Sequence, residues 1–369
     1  MLLGVFRFQH AELNRAPRRI LLIQLSAIGD TILAVPTIRA IRRRFPEAHI
    51  TMMASSINLQ YLQNCPYIDQ HTPCHLEALV TAPRAFIAFL RALRRQRFDL
   101  VVDFEHWPRF SALIAYASGA PCRIGFRAAR QHRHYPFTHA VPHVPGQHEV
   151  VNFLQIAKLL ACPTEETHLE IWPGQEDWAW AQALLSKSGR DIAQPIVVIH
   201  PEAGRRNEPR RRWPHQRYAE LANALATAYD AHIVLTGAPS EVDLCERIAT
   251  AIQPPCTVVA GETTINQLAA LFGRADLIVC GNCGPMHLAA ASGTPVVALH
   301  GPTNPAQWGP WGENHTVIAA DVPCSPCLNL GFEYGCKALP DGLSPCLYTI
   351  PVREALKACE RYLTKIRST

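Results

Sequence analysis

LIVCGNCGPMHLAAASGTPVVALHGPTNPAQWGPWG, residues 277–312, decides the fold. Leu277, Ile278 and Val279 form a short apolar run that ends at Gly281-Asn282-Cys283-Gly284, and Pro285 suits the first turn of a helix. Gly293 closes that helix, read over 286–291, and 295–299 is the next buried strand. A glycine turn at the carboxyl end of a parallel strand, feeding a helix, turns backbone N–H groups and the helix dipole toward an anion. A single loop of this kind also occurs as a plain connection. Two further stretches give it weight.

Residues 19–25, RILLIQL, read as a strand, followed by Ser26-Ala27-Ile28-Gly29-Asp30, a helix over 31–45 and a second strand over 49–53. Gly29 allows a sharp turn, and Asp30 falls at or near the helix N-terminus. Two roles stay open for Asp30: a capping aspartate, or a carboxylate at a strand tip able to take a proton. After the strand 195–199, residues 200–217 hold six arginines (205, 206, 210, 211, 212, 217) against Glu202 and Glu208. The segment has no regular period, which argues against a helix face, and arginine forks pair with phosphate oxygens.

Composition fits two domains. A chain of 369 residues with 48% hydrophobic content supports two cores. Strands alternate with helical segments, which argues for parallel sheets. No run of 18 apolar residues occurs, and residues 1–18 lack a signal-peptide core, so the expected location is cytoplasmic. Net charge is +5, with basic clusters at Arg39, Arg42, Arg43, Arg44 and at Arg91, Arg94, Arg95, Arg97. These suit an anionic inner-membrane surface, or are solvated helix faces. The arginines after 200 lie in a loop without a recognition helix, which excludes nucleic acid. The polar, glycine-containing 187–191 suggests a boundary there. Domains are expected at 1–185 and 186–350, with a last helix in 351–369.

The chain resembles glycosyltransferase family 9, the ADP-heptose:lipopolysaccharide heptosyltransferases. The resemblance rests on RILLIQLSAIGDTILAVPTIRAIRRRFP (19–46), RRWPHQRYAELA (211–222) and LAALFGRADLIVCGNCGPMHLAAASGTPVVALHGPTNP (268–305), with weaker agreement at 99–104 and 123–126. It implies an α/β GT-B fold: two Rossmann-like doubly wound domains facing across a cleft, the last helix returning to the first domain. It further implies inverting sugar transfer without a catalytic metal, from a nucleotide-diphospho-sugar to a hydroxyl of a lipopolysaccharide-core or other glycolipid acceptor.

By position, Asp30 matches the family's base, with Ser26, Gly29 and His106 on the acceptor side. Arg211 stands where the family has the lysine of Lys-x-Trp-Pro, with Arg212 beside it, and Gly284 and His287 match the Gly-x-x-His segment. One departure is notable. Where the family has Asp-Thr-Gly or Asp-Ser-Gly, this chain has Asn282-Cys283-Gly284, and the region of the ribose-contacting carboxylate reads Thr264-Ile265-Asn266-Gln267, also uncharged. Donor contacts are therefore expected at Arg211, Arg212, Asn266, Asn282, Cys283, Gly284 and His287. Other readings are transfer to a protein or small metabolite, a nucleotide-binding protein of this fold without transferase activity, and a sugar-nucleotide epimerase.

Asp103 and Glu105 are rival carboxylates for the base. The loop carrying His132, His134, His139 and His143 has no metal-like register and reads as mobile and acceptor-facing. Of thirteen cysteines, four form Cys324-x2-Cys327-x8-Cys336-x9-Cys346, a spacing able to hold structural zinc or iron. Similar segments recur in the family, and one protein-modifying branch binds iron there. No cofactor is expected for catalysis. Cys280 and Cys283 form a second C-x-x-C inside the nucleotide loop.

Overall fold

A computed structural model describes residues 16–74, 83–189, 191, 193–201, 209–329, 333–334 and 337–366. The chain forms two compact units, Met1–Thr167 and His168–Thr369.

In the first unit the elements run β1 Arg19–Gln24, α1 Ile28–Arg44, β2 His49–Ala54, α2 Ser56–Tyr61, β3 Gln70–Pro73, α3 Pro83–Arg95 and β4 Leu100–Asp103. They continue through α4 Arg109–Ala117, β5 Cys122–Arg127, β6 His139–Pro142 and α5 Glu149–Leu159. The strands pair in parallel in the order β3-β2-β1-β4-β5-β6. Five of the six β1 residues and all of β4 are buried, as expected of parallel strands covered on both faces. α1 begins a turn earlier than the sequence suggests: its N-cap is Ala27, without a side-chain bond, and Gly29 and Asp30 already lie in the first turn. Gly29 therefore makes no turn of its own.

The second unit contains α6 Gln175–Lys187, β7 Ile196–His200, α7 His215–Tyr229, β8 His232–Leu235, α8 Val242–Thr250, β9 Thr257–Val258, α9 Ile265–Phe272 and β10 Leu277–Gly281. After these come α10 Gly284–Ala291, β11 Val296–His300, α11 Pro305–Trp308, β12 His315–Ala319, α12 Pro345–Tyr348 and α13 Val352–Ile366. Its sheet, β12-β11-β10-β7-β8-β9, is also parallel and repeats the topology of the first. A two-stranded antiparallel pair joins Leu328–Asn329 to Glu333–Tyr334. Both sheets reverse strand order between their first and fourth strands, the point where doubly wound sheets bind ligands at the carboxyl ends of the strands.

Two expectations of organisation differ. The division falls at 167/168 rather than 185/186, because α6 packs on α9: Arg274 donates to Gln182 Oε1 (2.5 Å) and lies over the Trp178 ring at 5.7 Å. The last helix, expected to return to the first domain, packs on α7 and on β10, β11 and β12. Its stripe Ala355, Ala358, Cys359 and Leu363 joins the core containing Leu221 and Leu225, and Tyr362 Oη lies 2.9 Å from Thr316 Oγ1. Among the described residues no helix is long and apolar enough to cross a membrane.

Candidate active site

The reversal point of the first unit lies between the ends of β1 and β4, and Glu105 organises it. Glu105 Oε1 accepts from the backbone N–H of Leu25 and of Ser26, both at 2.6 Å, and from Gln24 Nε2 at 3.2 Å, while Oε2 accepts from Ser26 Oγ at 2.5 Å. Burial pushes the Glu105 carboxyl above its usual range, with Asp103 adding to the rise and the donated bonds opposing it. Ser26 is thus spent holding the β1 loop to the β4 loop. Asp103 is fully buried in an ion pair with Arg133 (2.6 Å), whose guanidinium also donates to Ser111 Oγ at 3.0 Å. The two carboxylates considered beside Asp30 are therefore both embedded in the structure. Asp30 itself is 9% exposed, in the first turn of α1 just beyond the loop that Glu105 fixes.

Arg133 also corrects the reading of 132–143 as a mobile segment, since its buried guanidinium ties that stretch to β4 and α4. His143 is likewise buried: its Nε2 donates to Glu149, 3.0 Å from each carboxylate oxygen, and its ring stacks on His106 with centroids 4.6 Å apart. His106 is 3% exposed, and burial pulls its pKa down to about 3. The ligand atoms of His106, His143 and Glu149 lie within 4.8 Å of one another. The imidazole planes, however, are parallel to within 2°. A metal bonded in the plane of both rings would have to lie in two planes that do not meet, so the trio is a buried ring stack closed by the Glu149 carboxylate. Sequence spacing, with His106 and His143 on different loops, gave no hint of it.

The reversal point of the second unit lies between β7 and β10. A turn at Pro209–Arg211 carries Arg211, and Trp213 anchors the segment: it is 2% exposed, donates Nε1 to Ile350 O at 2.9 Å and meets Tyr218 edge-on. Arg211 Nη2 donates to Asn282 Oδ1 at 3.2 Å, and Asn282 Nδ2 donates to Trp308 O at 2.8 Å. That pair of bonds accounts for the asparagine. An aspartate could accept from Arg211 but would set a carboxylate oxygen against the Trp308 carbonyl. Arg217 has a different job, donating to the carbonyls of Tyr348 and Ile350. Arg212 sits beside Glu241 and eases its burial-raised pKa. Arg205 and Arg206 lie outside the described residues.

Cys283 is the N-cap of α10 without a side-chain cap bond, and Gly284 and Pro285 open the helix. The Cys283 thiol pairs instead with Cys280, whose own thiol is raised well above its usual value, first by that hydrogen bond and then by burial. His287 is buried on α10. Thr264 and Gln267 form a reciprocal cap (3.1 and 2.9 Å), leaving the buried Asn266 as the other polar residue of that first turn. His300, at the tip of β11, was not singled out from sequence, although its place at a strand end before Gly301-Pro302 was the available signal. It is fully buried, with Nδ1 3.4 Å from Thr303 Oγ1, and burial and nearby Arg211 pull its pKa down to about 3.

The cysteine segment docks on the same loop. Cys327 N and Leu328 N donate to Pro302 O at 2.9 and 2.8 Å, and Ser325 Oγ donates to Gly301 O at 2.8 Å. Gly301 has no room for a side chain, since a Cβ would lie 2.6 Å from Leu347 and 3.4 Å from Cys346 Sγ. Cys324 and Cys327 raise the Cys346 thiol further, after burial. These three are not among the described groups with ligand atoms within 4.8 Å. Cys336 lies outside the described residues.

Residues 86–337 match the model of glycosyltransferase family 9 (heptosyltransferase). The lipopolysaccharide core heptosyltransferase OpsX of Haemophilus influenzae is 24% identical over 310 residues, covering 83% of this chain and 85% of that protein. A family 9 glycosyltransferase from Veillonella parvula superposes with a TM-score of 0.79 at 21% identity, covering 94% of this chain and 98% of that one. The ADP-heptose lipopolysaccharide heptosyltransferase II of Escherichia coli superposes with a TM-score of 0.73 at 23% identity, covering 95% and 99%. The two doubly wound units are those of the GT-B fold, and the chain belongs to glycosyltransferase family 9.

Proposed function

We propose that this glycosyltransferase moves a heptose from ADP-heptose onto a hydroxyl of a lipopolysaccharide-core acceptor at the cytoplasmic face of a membrane, inverting the anomeric carbon and using no metal in catalysis. The Arg211–Asn282 pair carries the reading. It sets a guanidinium beside the N-terminus of α10 at the strand-order reversal, where a parallel sheet offers cation, dipole and backbone N–H groups to a diphosphate. Donor and acceptor are taken from what the named relatives act on.

The chemistry follows from charge. The acceptor oxygen attacks the anomeric carbon as the bond to the diphosphate breaks, so negative charge grows on the leaving oxygen. Arg211, Arg212 and the N–H groups at Cys283, Gly284 and the next turn stabilise it, while Asn266 and His287 border the nucleotide. Asp30 takes the proton from the attacking hydroxyl, and the acceptor lies on the side of the first unit that carries Ser26 and Gly29. His106 is buried against His143 beyond the tip of β4 in the same unit. Whether the segment of Cys324, Cys327, Cys336 and Cys346 takes up zinc or iron is tested separately by elemental analysis of chelator-free protein, repeated with Cys324→Ser.

Native mass spectrometry with ADP-, UDP-, GDP- and dTDP-sugars is the test of the donor, followed by NMR of the product's anomeric configuration. Selective ADP-heptose binding and inverted product are expected. Preference for another nucleotide, retained configuration, or donor turnover without an acceptor would overturn the reading.

A further inference from the structure

We propose that the outer face of α3 and α4 docks on an anionic lipid bilayer. The argument starts from an imbalance of charge. Residues 78–148 contain ten arginines and no lysine, and their acidic residues are Asp99, Asp103 and Glu105. All three acids are used internally. Asp99 accepts from the backbone N–H groups of Arg18 and Arg19, Asp103 is paired with Arg133, and Glu105 holds the β1 loop. The surface of this region is left with cations.

The helices array those cations beside exposed apolar groups. On α3, Leu93 is buried and Phe89 packs on the same core, so the opposite face presents Arg84, Ile87, Arg91 and Arg95. On α4 the exposed stripe is Arg109, Leu113 and Tyr116, at helical spacing. Ile87 is 48% exposed, Leu113 57% and Tyr116 60%. The two helices form one surface: Phe86 and Phe110 rings meet at 5.9 Å, Arg94 Nε donates to Ala117 O at 2.9 Å, and Arg123 lies over the Tyr116 ring at 5.7 Å. Apolar side chains beside arginines, on two helices whose own sequences hold no acid, match an interfacial helix on anionic headgroups.

The other basic cluster behaves differently. Arg39 is 2% exposed and donates to Glu166 O, Arg43 pairs with Glu166, and Arg42 pairs with Asp69 and donates to the carbonyls of Tyr67, Pro46 and Ala48. Those arginines fasten α1 to its neighbours. Arg44 stays exposed at the end of α1, but the array of cations beside exposed apolar side chains is on α3 and α4, and the interaction deepens the proposed transfer to a glycolipid, whose acceptor sugar stands at that surface.

Flotation with vesicles of phosphatidylcholine alone, or mixed with phosphatidylglycerol, is the test. The protein should float with the anionic vesicles and not with the neutral ones. Arg84→Glu/Arg91→Glu/Arg95→Glu should lower the partition coefficient at least about 100-fold, from the usual attraction of each basic residue to an anionic surface. Leu113→Ser/Tyr116→Ser should still bind at low salt but be released by less added salt. Melting temperature and ADP affinity, read on the same samples, should match the parent protein, which separates this surface from the donor reading. No flotation with anionic vesicles, or equal flotation of the triple variant, would overturn the proposal.

Discussion

Arg211 and Asn282 are joined by a hydrogen bond of 3.2 Å, and the same asparagine amide donates to Trp308 O at 2.8 Å. One neutral side chain thereby aims a cation at the start of α10 and ties β10 to the loop after β11. Arg211 keeps its full charge for a ligand because the group that positions it carries none.

Arg211→Ala should weaken ADP binding by roughly 10- to 100-fold, the usual loss for a charge-assisted phosphate contact. The fold should be unaffected, since Trp213 anchors the segment through Ile350 O independently. Calorimetric titration with ADP measures it, and an unchanged affinity would leave Arg211 without a role at the donor.

Asp30→Asn should lower the transfer rate by at least about 100-fold, the contribution of a positioned general base. The variant should still fold, because the N-cap of α1 is Ala27 and no side-chain cap bond is lost. ADP affinity should stay the same. A folded variant transferring at the parent rate would remove Asp30 from the chemistry.

Glu105→Ala should destabilise the protein by about 2–4 kcal/mol, because the backbone N–H groups of Leu25 and Ser26 would lose their acceptor. Turnover should fall with little change in ADP affinity. Urea unfolding and steady-state kinetics on one preparation separate these effects; turnover unchanged despite the lost stability would mean that the β1 loop needs no such support.

His300 sets a pH dependence whose sign follows from its burial. Its folded pKa is about 3 against 6.5 when free, so the unfolded chain takes up the proton first. Its contribution is intact above the free value and drains away as pH falls toward the folded one. Between those values the residue should cost up to about 1.4 kcal/mol per pH unit. The slope of unfolding free energy against pH should be shallower in His300→Gln by one proton. Parallel slopes for parent and variant would show that His300 titrates as a free imidazole.

The turn between β10 and α10 was legible because it follows an apolar run too short for a helix and precedes a segment with helical character, whereas the loop read at 26–30 was too long, since Ile28, Gly29 and Asp30 already belong to α1. His106 was legible as a residue near a strand tip, but not as half of a stack with His143. Glu105 could be named as a carboxylate near the site. Its actual work, accepting four hydrogen bonds from Gln24, Leu25 and Ser26, required knowing that β1 and β4 are neighbours.

The sequence by itself determined two parallel, doubly wound sheets and the loops at their strand tips, because buried strands and amphipathic helices write their periods locally. Tertiary structure alone decided which residues meet. Leu25 and Glu105 stand 80 positions apart and Arg211 and Asn282 71 apart, and strand order brings each pair together. It also assigned α6 and α13 to the second unit, since an apolar stripe such as Ala355, Ala358, Cys359 and Leu363 specifies that a helix must be covered but not by which surface. That choice belongs to packing, where shape and burial of the whole unit select the partner.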